Sequence, residues 1–123
     1  MGEARPDLGF RVVRDVAGRS VRRAIDAIQA EPGRAYTVTT LAEIAGVSRR
    51  SLQQAFQQYV GVAPMAYLRQ VRLARVHDEL RAAAPAEVSV TDVAYRHGFV
   101  HLGRFAGAYR SRYGRSPSET LRH

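Results

Sequence analysis

Apolar side chains recur at helical spacing through most of the chain, and turn-forming or capping residues separate these periodic segments. The first segment predicts a helix over about residues 18–30, which ends at Pro32-Gly33. Its apolar positions are Val21, Ala24, Ile25 and Ile28. No segment shows the alternating apolar and polar positions of a β-strand, so the sequence predicts an all-α protein of about seven helices.

The other six helices are bounded by capping residues, glycines and prolines. Their predicted ranges are about 38–45, 48–59, 64–83, 90–97, 102–112 and a last helix from Ser116. Thr40 and Glu43 have the spacing of a capping box, and so do Ser116 and Glu119. The long helix over about 64–83 is predicted to bury one apolar stripe. That stripe consists of Tyr67, Leu68, Val71, Ala74 and Leu80.

The chain contains an internal repeat. Residues 37–47 align with residues 89–99, and the match continues further once a single residue is inserted. Each copy has a small residue on its first helix, then a glycine at the turn and an apolar residue after it. These residues are Ala42, Gly46 and Val47 in the first copy, and Ala94, Gly98 and Phe99 in the second. The pattern predicts two helix-turn-helix subdomains joined by the long linker helix.

The second helix of a helix-turn-helix enters the major groove with its N-terminal turns, so its outward positions are candidate DNA contacts. In the first copy these are Ser48, Arg49, Arg50, Gln53, Gln54 and Gln57. In the second copy they are His101, Leu102, Gly103, Arg104, Ala106 and Arg110. Arg and Gln can form paired hydrogen bonds with guanine and adenine edges, so the first copy is predicted to recognise more sequence than the second.

Individual roles are assigned in the second copy. Arg104 is the best candidate for a base edge and Arg110 for a phosphate, while Leu102 is placed to touch a thymine methyl group. His101 either contacts DNA or only caps its helix. Gly103 and Gly107 each cost the helix about 1 kcal/mol relative to Ala. These glycines either permit close approach to the DNA backbone or simply weaken the helix.

Several further side chains are predicted to have structural or solvent-facing roles. His97 is expected at a helix C-terminus and His77 at the surface. Four tyrosines are expected at the edge of the core: Tyr36, Tyr67, Tyr95 and Tyr113. Arg69, Arg72 and Arg75 on the long helix either contact phosphates or lie on a solvated face, paired with acidic neighbours such as Asp78 and Glu79. The solvated face is the favoured interpretation.

Composition narrows the function. The 123 residues carry a formal net charge of +8, with a sequence pI near 11.0, which favours a polyanionic partner such as nucleic acid or an anionic membrane face. Because the chain has no lysine, part of the arginine excess reflects the genome. The absence of cysteine excludes disulfides, cysteine-bound zinc and thiol catalysis. No catalytic or metal-ligand constellation is present, so neither enzymatic activity nor a cofactor or metal is predicted.

Residues 38–122 resemble the DNA-binding domain of the AraC/XylS family of bacterial transcription regulators. The strongest matches are Asp92-Val93-Ala94-Tyr95-Arg96-His97-Gly98-Phe99, Phe105, Tyr109-Arg110 and Gly114-Arg115-Ser116-Pro117. The first copy adds Leu41-Ala42, Gly46-Val47-Ser48, Leu52, Phe56, Gly61, Pro64 and Tyr67-Leu68. Ala63 and Gly107 depart from the family pattern, in which Ser or Thr and Arg, respectively, are usual.

The resemblance implies one DNA-binding domain over residues 18–123, preceded by a linker or tail over 1–17. Its helix-turn-helix units lie at about 38–59 and 90–112, with the linker helix at about 64–83 between them. The two recognition helices would enter consecutive major grooves about one DNA turn apart. The implied function is sequence-specific transcription control on promoter DNA, usually activation through RNA polymerase, in the bacterial cytoplasm and nucleoid.

Two further expectations accompany this function. The chain has no room for the effector or dimerisation domain common in the family, so any such domain is expected to lie outside it. The alternative function is a non-specific architectural DNA-binding protein, which relies on basic and wedge residues with little base recognition. The Arg and Gln face of the first copy favours sequence recognition over this alternative.

Overall fold

The computed structural model describes residues 15–122. Most of the predicted N-terminal linker over residues 1–17 lies outside the described residues. The described part contains seven helices and no strand, which confirms the all-α prediction. The helices are α1 Val16–Ala30, α2 Val38–Ala45, α3 Arg49–Tyr59, α4 Pro64–Ala82, α5 Val90–Arg96, α6 Leu102–Tyr113 and α7 Pro117–Arg122.

Side-chain caps set the starts of several helices. Helix α1 begins at Val16 because the Asp15 carboxylate accepts a hydrogen bond of 2.6 Å from the Gly18 N–H. The capping box of α2 is formed by Thr37 and Thr40, so the predicted Thr40–Glu43 box is wrong. Thr40 is the third residue of the helix, and its hydroxyl accepts from the Thr37 N–H at 2.8 Å.

The predicted capping box of α7 is present. The Ser116 hydroxyl accepts from the Glu119 N–H at 3.1 Å, and the Glu119 carboxylate accepts from the Ser116 N–H at 2.7 Å. The hydrogen bond from that backbone N–H lowers the pKa of Glu119, because it stabilises the ionised carboxylate. The short last helix therefore has a defined start at Pro117, immediately after Ser116.

The chain divides into two compact units. The first runs through Glu31 and resumes over Tyr36–Leu68, and the second contains Pro32–Ala35 and the chain from Arg69 onward. Helices α1, α2 and α3 build the first core. Its buried apolar residues are Val21, Ala24, Ile28, Tyr36, Leu41, Ala42, Ala45, Leu52, Ala55, Phe56 and Leu68. Burial of these side chains holds the three helices of the first unit together.

The second unit has its own core of residues from four helices. Its buried members are Leu73, Val76, Leu80, Val93, Ala94, Phe105, Tyr109 and Leu121. Tyr109 fills the centre, since it is the largest fully buried side chain and its hydroxyl donates to Thr120 at 2.9 Å. That hydrogen bond satisfies the one polar group that the phenol brings into the core.

Helix α4 does not bury the single stripe predicted for it. Leu73 and Val76, which the prediction omitted, are buried, whereas Ala74 is only half-buried. The prediction assumed one packing face along the helix. The buried face changes, however, between Leu68, which belongs to the first unit, and Leu73, which packs in the second core. The two faces together leave little of this helix fully exposed.

Candidate nucleic-acid interface

The turn of the first helix-turn-helix is fixed by a left-handed glycine. Gly46 ends α2 with a φ of 76°, and the Val47 N–H then bonds to the Ala42 carbonyl at 3.1 Å. The Arg23 guanidinium lies beside this turn, with Nη1 at 3.5 Å from the Ala45 carbonyl oxygen. The chain leaves the turn at Ser48, whose hydroxyl accepts from the Ser51 N–H at 3.1 Å and begins α3.

Helix α3 separates its residues into an inner and an outer face. Leu52, Ala55 and Phe56 are buried in the first core. The polar residues of the other face are exposed, and their side chains make no hydrogen bond to a described residue. They are Arg49, Arg50, Gln53 and Gln54. Gln57 is also exposed, but its amide donates to the Gly61 carbonyl at 3.4 Å, at the C-terminal end of the helix. The first two turns therefore present four unengaged long polar side chains.

The second helix-turn-helix repeats this turn. Gly98 has a φ of 93°, and the Phe99 N–H bonds to the Ala94 carbonyl at 3.0 Å, as Val47 does to Ala42. His97 occupies the C-terminal cap of α5, as predicted, and its Nε2 lies 2.8 Å from a Glu79 carboxylate oxygen. The other oxygen of Glu79 forms an ion pair of 2.6 Å with Arg96. Glu79 thus holds the last turn of α5.

Arg72 supports the second turn, and the prediction of a solvated or phosphate-binding arginine is wrong. Its guanidinium donates to three backbone carbonyls of the second unit: Pro32 and Arg34 at 2.7 Å each, and Gly98 at 3.4 Å. A Cβ atom built on Gly98 would lie 2.7 Å from the guanidinium carbon. The side chain therefore fills the space that any other residue at position 98 would need.

A second close contact involves the same short segment. A Cβ atom on Gly33 would lie 2.7 Å from the Arg96 carbonyl oxygen. Because that oxygen belongs to the backbone of α5, it cannot turn aside as a flexible side chain does. Pro32, Gly33 and Arg34 thus pack against the end of α5 and the Arg72 side chain, and sequence analysis assigned none of these contacts.

Helix α6 presents a smaller and less polar face than α3. His101 lies at its N-terminal cap position but makes no capping hydrogen bond, which contradicts the alternative that it serves only as a cap. Leu102 is half-buried against the second core. The exposed candidates are His101, Gly103, Arg104, Ala106 and Arg110. Cβ atoms on Gly103 and Gly107 would meet nothing within 4 Å, so the fold itself does not require glycine there.

Two predictions about aromatic and histidine residues are wrong. His77 is not a freely solvated surface residue, because its ring stacks on Tyr113 at 3.9 Å between centroids and its Nδ1 lies 2.8 Å from the Tyr109 hydroxyl. Tyr95 is 52% exposed and does not pack at the core edge. It follows Ala94, which α5 turns into the core, so the tyrosine lies on the outer side of the helix. Tyr36 is buried, while Tyr67 and Tyr113 are half-buried.

Two further features bear on the site. Within residues 15–122, no group of three or more His, Asp or Glu side chains is arranged to hold a metal ion. No helix in the same range is both long and apolar enough to cross a membrane. Exposed arginines lie on both α3 and α6, and exposed glutamines lie on α3.

Comparison of the sequence with known proteins gives a consistent assignment. The family described as a helix-turn-helix domain matches residues 41–123. A probable thc operon regulatory protein of Rhodococcus erythropolis is 45% identical over 102 residues, which cover 83% of this chain and 31% of that protein. A XylDLEGF operon transcriptional activator of Pseudomonas putida is 36% identical over 118 residues, covering 94% and 37%, respectively. The chain therefore spans about a third of the length of these relatives.

Two solved structures are similar to this chain over 83% of its length. A probable AraC family transcriptional regulator from Rhodopseudomonas palustris has a TM-score of 0.75 and 38% identity, with coverage of 83% of this chain and 94% of that one. The DNA-binding domain of AdpA, solved in complex with a target DNA, also has a TM-score of 0.75. Its identity is 26% and the coverage is 83% and 89%.

Proposed function

Because this chain belongs to the AraC/XylS family of helix-turn-helix proteins, we propose that it is a sequence-specific DNA-binding regulator of transcription that contacts two major-groove segments, one with α3 and one with α6. The observation that carries this proposal is the pair of equivalent turns. Gly46 and Gly98 each form the turn before a helix whose outer face is exposed. The net charge of +8 supports binding to the DNA backbone.

The proposed contacts differ between the two helices. On α3, Arg49, Arg50, Gln53 and Gln54 supply side chains long enough to form hydrogen bonds with base edges. In the first two turns of α6 only Arg104 is comparable, because Gly103 and Ala106 beside it are small. We therefore assign most base recognition to the first unit. His101, Arg104 and Arg110 are assigned to the second contact, with Arg110 on a phosphate.

Selection of bound duplexes from a randomised DNA library, at near-physiological salt, tests the proposal. Two conserved blocks about ten base pairs apart are expected, because recognition helices on one face of DNA lie about one helical turn apart. A single block would restrict base recognition to one unit. No enrichment, together with binding that falls steeply with salt, would reject sequence recognition and favour the architectural alternative.

Arg50→Ala and Arg110→Ala form a matched pair, because each removes one exposed arginine without a hydrogen bond in the described protein. Loss of a base contact at Arg50 is expected to cost about 1–3 kcal/mol and to relax preference at one base pair. Loss of a phosphate contact at Arg110 is expected to weaken all sequences alike and to reduce the salt slope by about 1. Repeating the selection and a salt titration for each variant checks both roles; exchanged results would reverse the assignments.

Gly107→Ala separates the two explanations for the glycines of α6. The added methyl group meets no atom, so the helix should gain about 1 kcal/mol of stability. If DNA approaches the helix closely at this glycine, affinity should fall although the fold is more stable. Thermal unfolding and DNA titration measure the two effects, with Ser111→Ala on the same helix as the control. Unchanged affinity would leave close approach without support.

For the regulatory role of the whole protein, we propose the partner and the mode of action but no individual residues. Relatives are named as operon regulators and transcriptional activators, which supports promoter DNA as the partner. Activation through RNA polymerase is proposed as the mode of action. Binding to promoter DNA would place the protein on the bacterial nucleoid, in the cytoplasm.

A further inference from the structure

A small pocket in the second unit lies outside both candidate recognition faces. It has a volume of about 270 Å³ and is lined by His77, Arg81, Tyr113, Arg115 and Thr120. Two lining residues carry a permanent positive charge and a third is a histidine, whereas none is acidic. Tyr113 is the last residue of α6, so the pocket lies at the opposite end of this helix from the turns assigned to DNA.

Hydrogen bonds fix the histidine of this pocket. The Tyr109 hydroxyl donates to the Thr120 hydroxyl at 2.9 Å, so its oxygen accepts from the Nδ1–H of His77, 2.8 Å away. This arrangement leaves Nε2 as the ring nitrogen that a ligand can use. Stacking on Tyr113, with 4° between the ring planes, holds the imidazole in one orientation. Once the ring is protonated, its Nε2–H is therefore a donor held in a fixed orientation, whereas Nε2 of the neutral ring can only accept a hydrogen bond.

The guanidinium groups of Arg81 and Arg115 both have N–H donors that are not used within the described protein. Arg81 forms no hydrogen bond or ion pair with a described residue, and Arg115 uses Nη2 for the Glu119 carbonyl at 3.0 Å. Burial and the charge of Arg81 lower the pKa of His77, while Asp78 has the opposite effect. Tyr109, Tyr113 and Thr120 are the other polar groups that face the ring. The positive charge of Arg81 is thus close enough to disfavour protonation of the imidazole.

We propose that this pocket binds a small phosphate-type oxyanion, held by Arg81, Arg115 and the Nε2–H of His77. Guanidinium groups match the geometry of phosphate oxygens and form strong charge-assisted hydrogen bonds with them. A protonated imidazole adds a third donor, so binding should strengthen as the pH falls through the pKa of His77. The site lies at the C-terminal end of α6, away from the turns of that helix assigned to DNA.

Nuclear magnetic resonance of the His77 ring in the whole chain tests the site directly. Sodium phosphate is added at constant ionic strength, with sodium chloride as the reference. A saturable shift of the His77 resonances and a rise in the pKa of His77 are expected, because the bound anion stabilises the imidazolium. An absent shift, or an equal shift with chloride, would overturn the proposal. Neither result depends on whether the protein binds a specific operator.

Charge removal provides the matched comparison. Arg81→Gln is expected to weaken phosphate binding about tenfold, because one charge-assisted interaction is lost. Arg22→Gln removes the same charge from an exposed residue of α1 and should leave binding unchanged. Arg115→Gln is a second pocket variant, and circular dichroism checks that each variant is folded. Equal affinities of the Arg81 and Arg22 variants would contradict the assigned site.

The phosphate group could come from a free anion or from the DNA backbone, and DNA binding by Arg81→Gln distinguishes the two. A salt slope reduced by about 1 relative to Arg22→Gln would identify a backbone phosphate as the occupant. Equal salt slopes for Arg81→Gln and Arg22→Gln, together with saturable phosphate binding in the absence of DNA, would identify a free anion. Both outcomes support the pocket and differ only in the source of the oxyanion.

Discussion

Replacing Gly98 by alanine is expected to destabilise the second unit much more than replacing Gly114, although both glycines have a positive φ. A left-handed backbone costs a residue with a Cβ about 1–2 kcal/mol, and both variants incur this cost. At Gly114 the new methyl group meets nothing within 4 Å. At Gly98 it meets the guanidinium carbon of Arg72 at 2.7 Å and Nε at 2.8 Å.

Arg72 cannot withdraw from this collision without loss. Its Nε and Nη2 donate at 2.7 Å to the carbonyls of Pro32 and Arg34, and hydrogen bonds from a charged donor contribute about 1.5–3 kcal/mol each. We therefore expect about 3–5 kcal/mol of destabilisation for Gly98→Ala, against about 1–2 kcal/mol for Gly114→Ala. Denaturant unfolding measures both. Equal losses would show that the Arg72 side chain yields freely.

The same comparison has a consequence for DNA binding under the proposed function. Gly98 joins α5 to the segment that starts α6, so displacement of the turn should move α6 relative to α5. The second conserved block of the operator should then lose information, whereas the block contacted by α3 should not. Gly114 follows α6, so Gly114→Ala should retain both blocks. Loss of the first block alone would contradict the proposed division of contacts.

Local sequence signals were sufficient for most of the fold. Leu52 and Phe56 lie one helical turn apart in the first copy, as Phe105 and Tyr109 do in the second, and all four are buried. This spacing also fixes which residues of α3 and α6 are exposed, and the candidate face of α3 followed from it. The glycine turns were predictable because Gly46 and its counterpart occupy the same place in the repeat.

Two of the wrong sequence predictions, the capping box of α2 and the environment of His77, have different causes. The usual capping box has Glu or Gln at its third helical position and so favours Thr40 with Glu43, whereas the hydroxyl of Thr40 fills that role for Thr37 here. The surface assignment of His77 failed because its partners, Tyr109 and Tyr113, lie on another helix more than 30 residues further along the chain. No periodicity within α4 carries that information.

Arg72 is the clearest case of a role that local patterns do not reveal. Its carbonyl partners lie 40, 38 and 26 residues away along the chain, and a backbone oxygen leaves no signature in the sequence. The one available signal is its position between Val71 and Leu73, which are both buried. An arginine between two buried neighbours on a helix has limited access to solvent. Its charged group then needs hydrogen-bond acceptors within the protein.

Arg72→Met is the second variant with a large expected effect. Methionine retains most of the aliphatic stem but removes every donor, so three carbonyls lose a charged partner. We expect the free energy of unfolding of the second unit to fall by about 2–4 kcal/mol, since such bonds are strong but not additive. Arg69→Met, an exposed position on the same helix without a hydrogen bond in the described protein, should change stability by less than about 0.5 kcal/mol.

A double-mutant cycle between Arg72→Met and Gly98→Ala tests whether the two positions act through one contact. If the collision with the guanidinium causes the extra cost of Gly98→Ala, that cost should largely disappear when Arg72 is already methionine. The double variant should then be less destabilised than the sum of the single variants, by about 1–3 kcal/mol. Additive losses would instead show that Gly98 depends on its backbone conformation alone and that Arg72 stabilises the unit through Pro32 and Arg34.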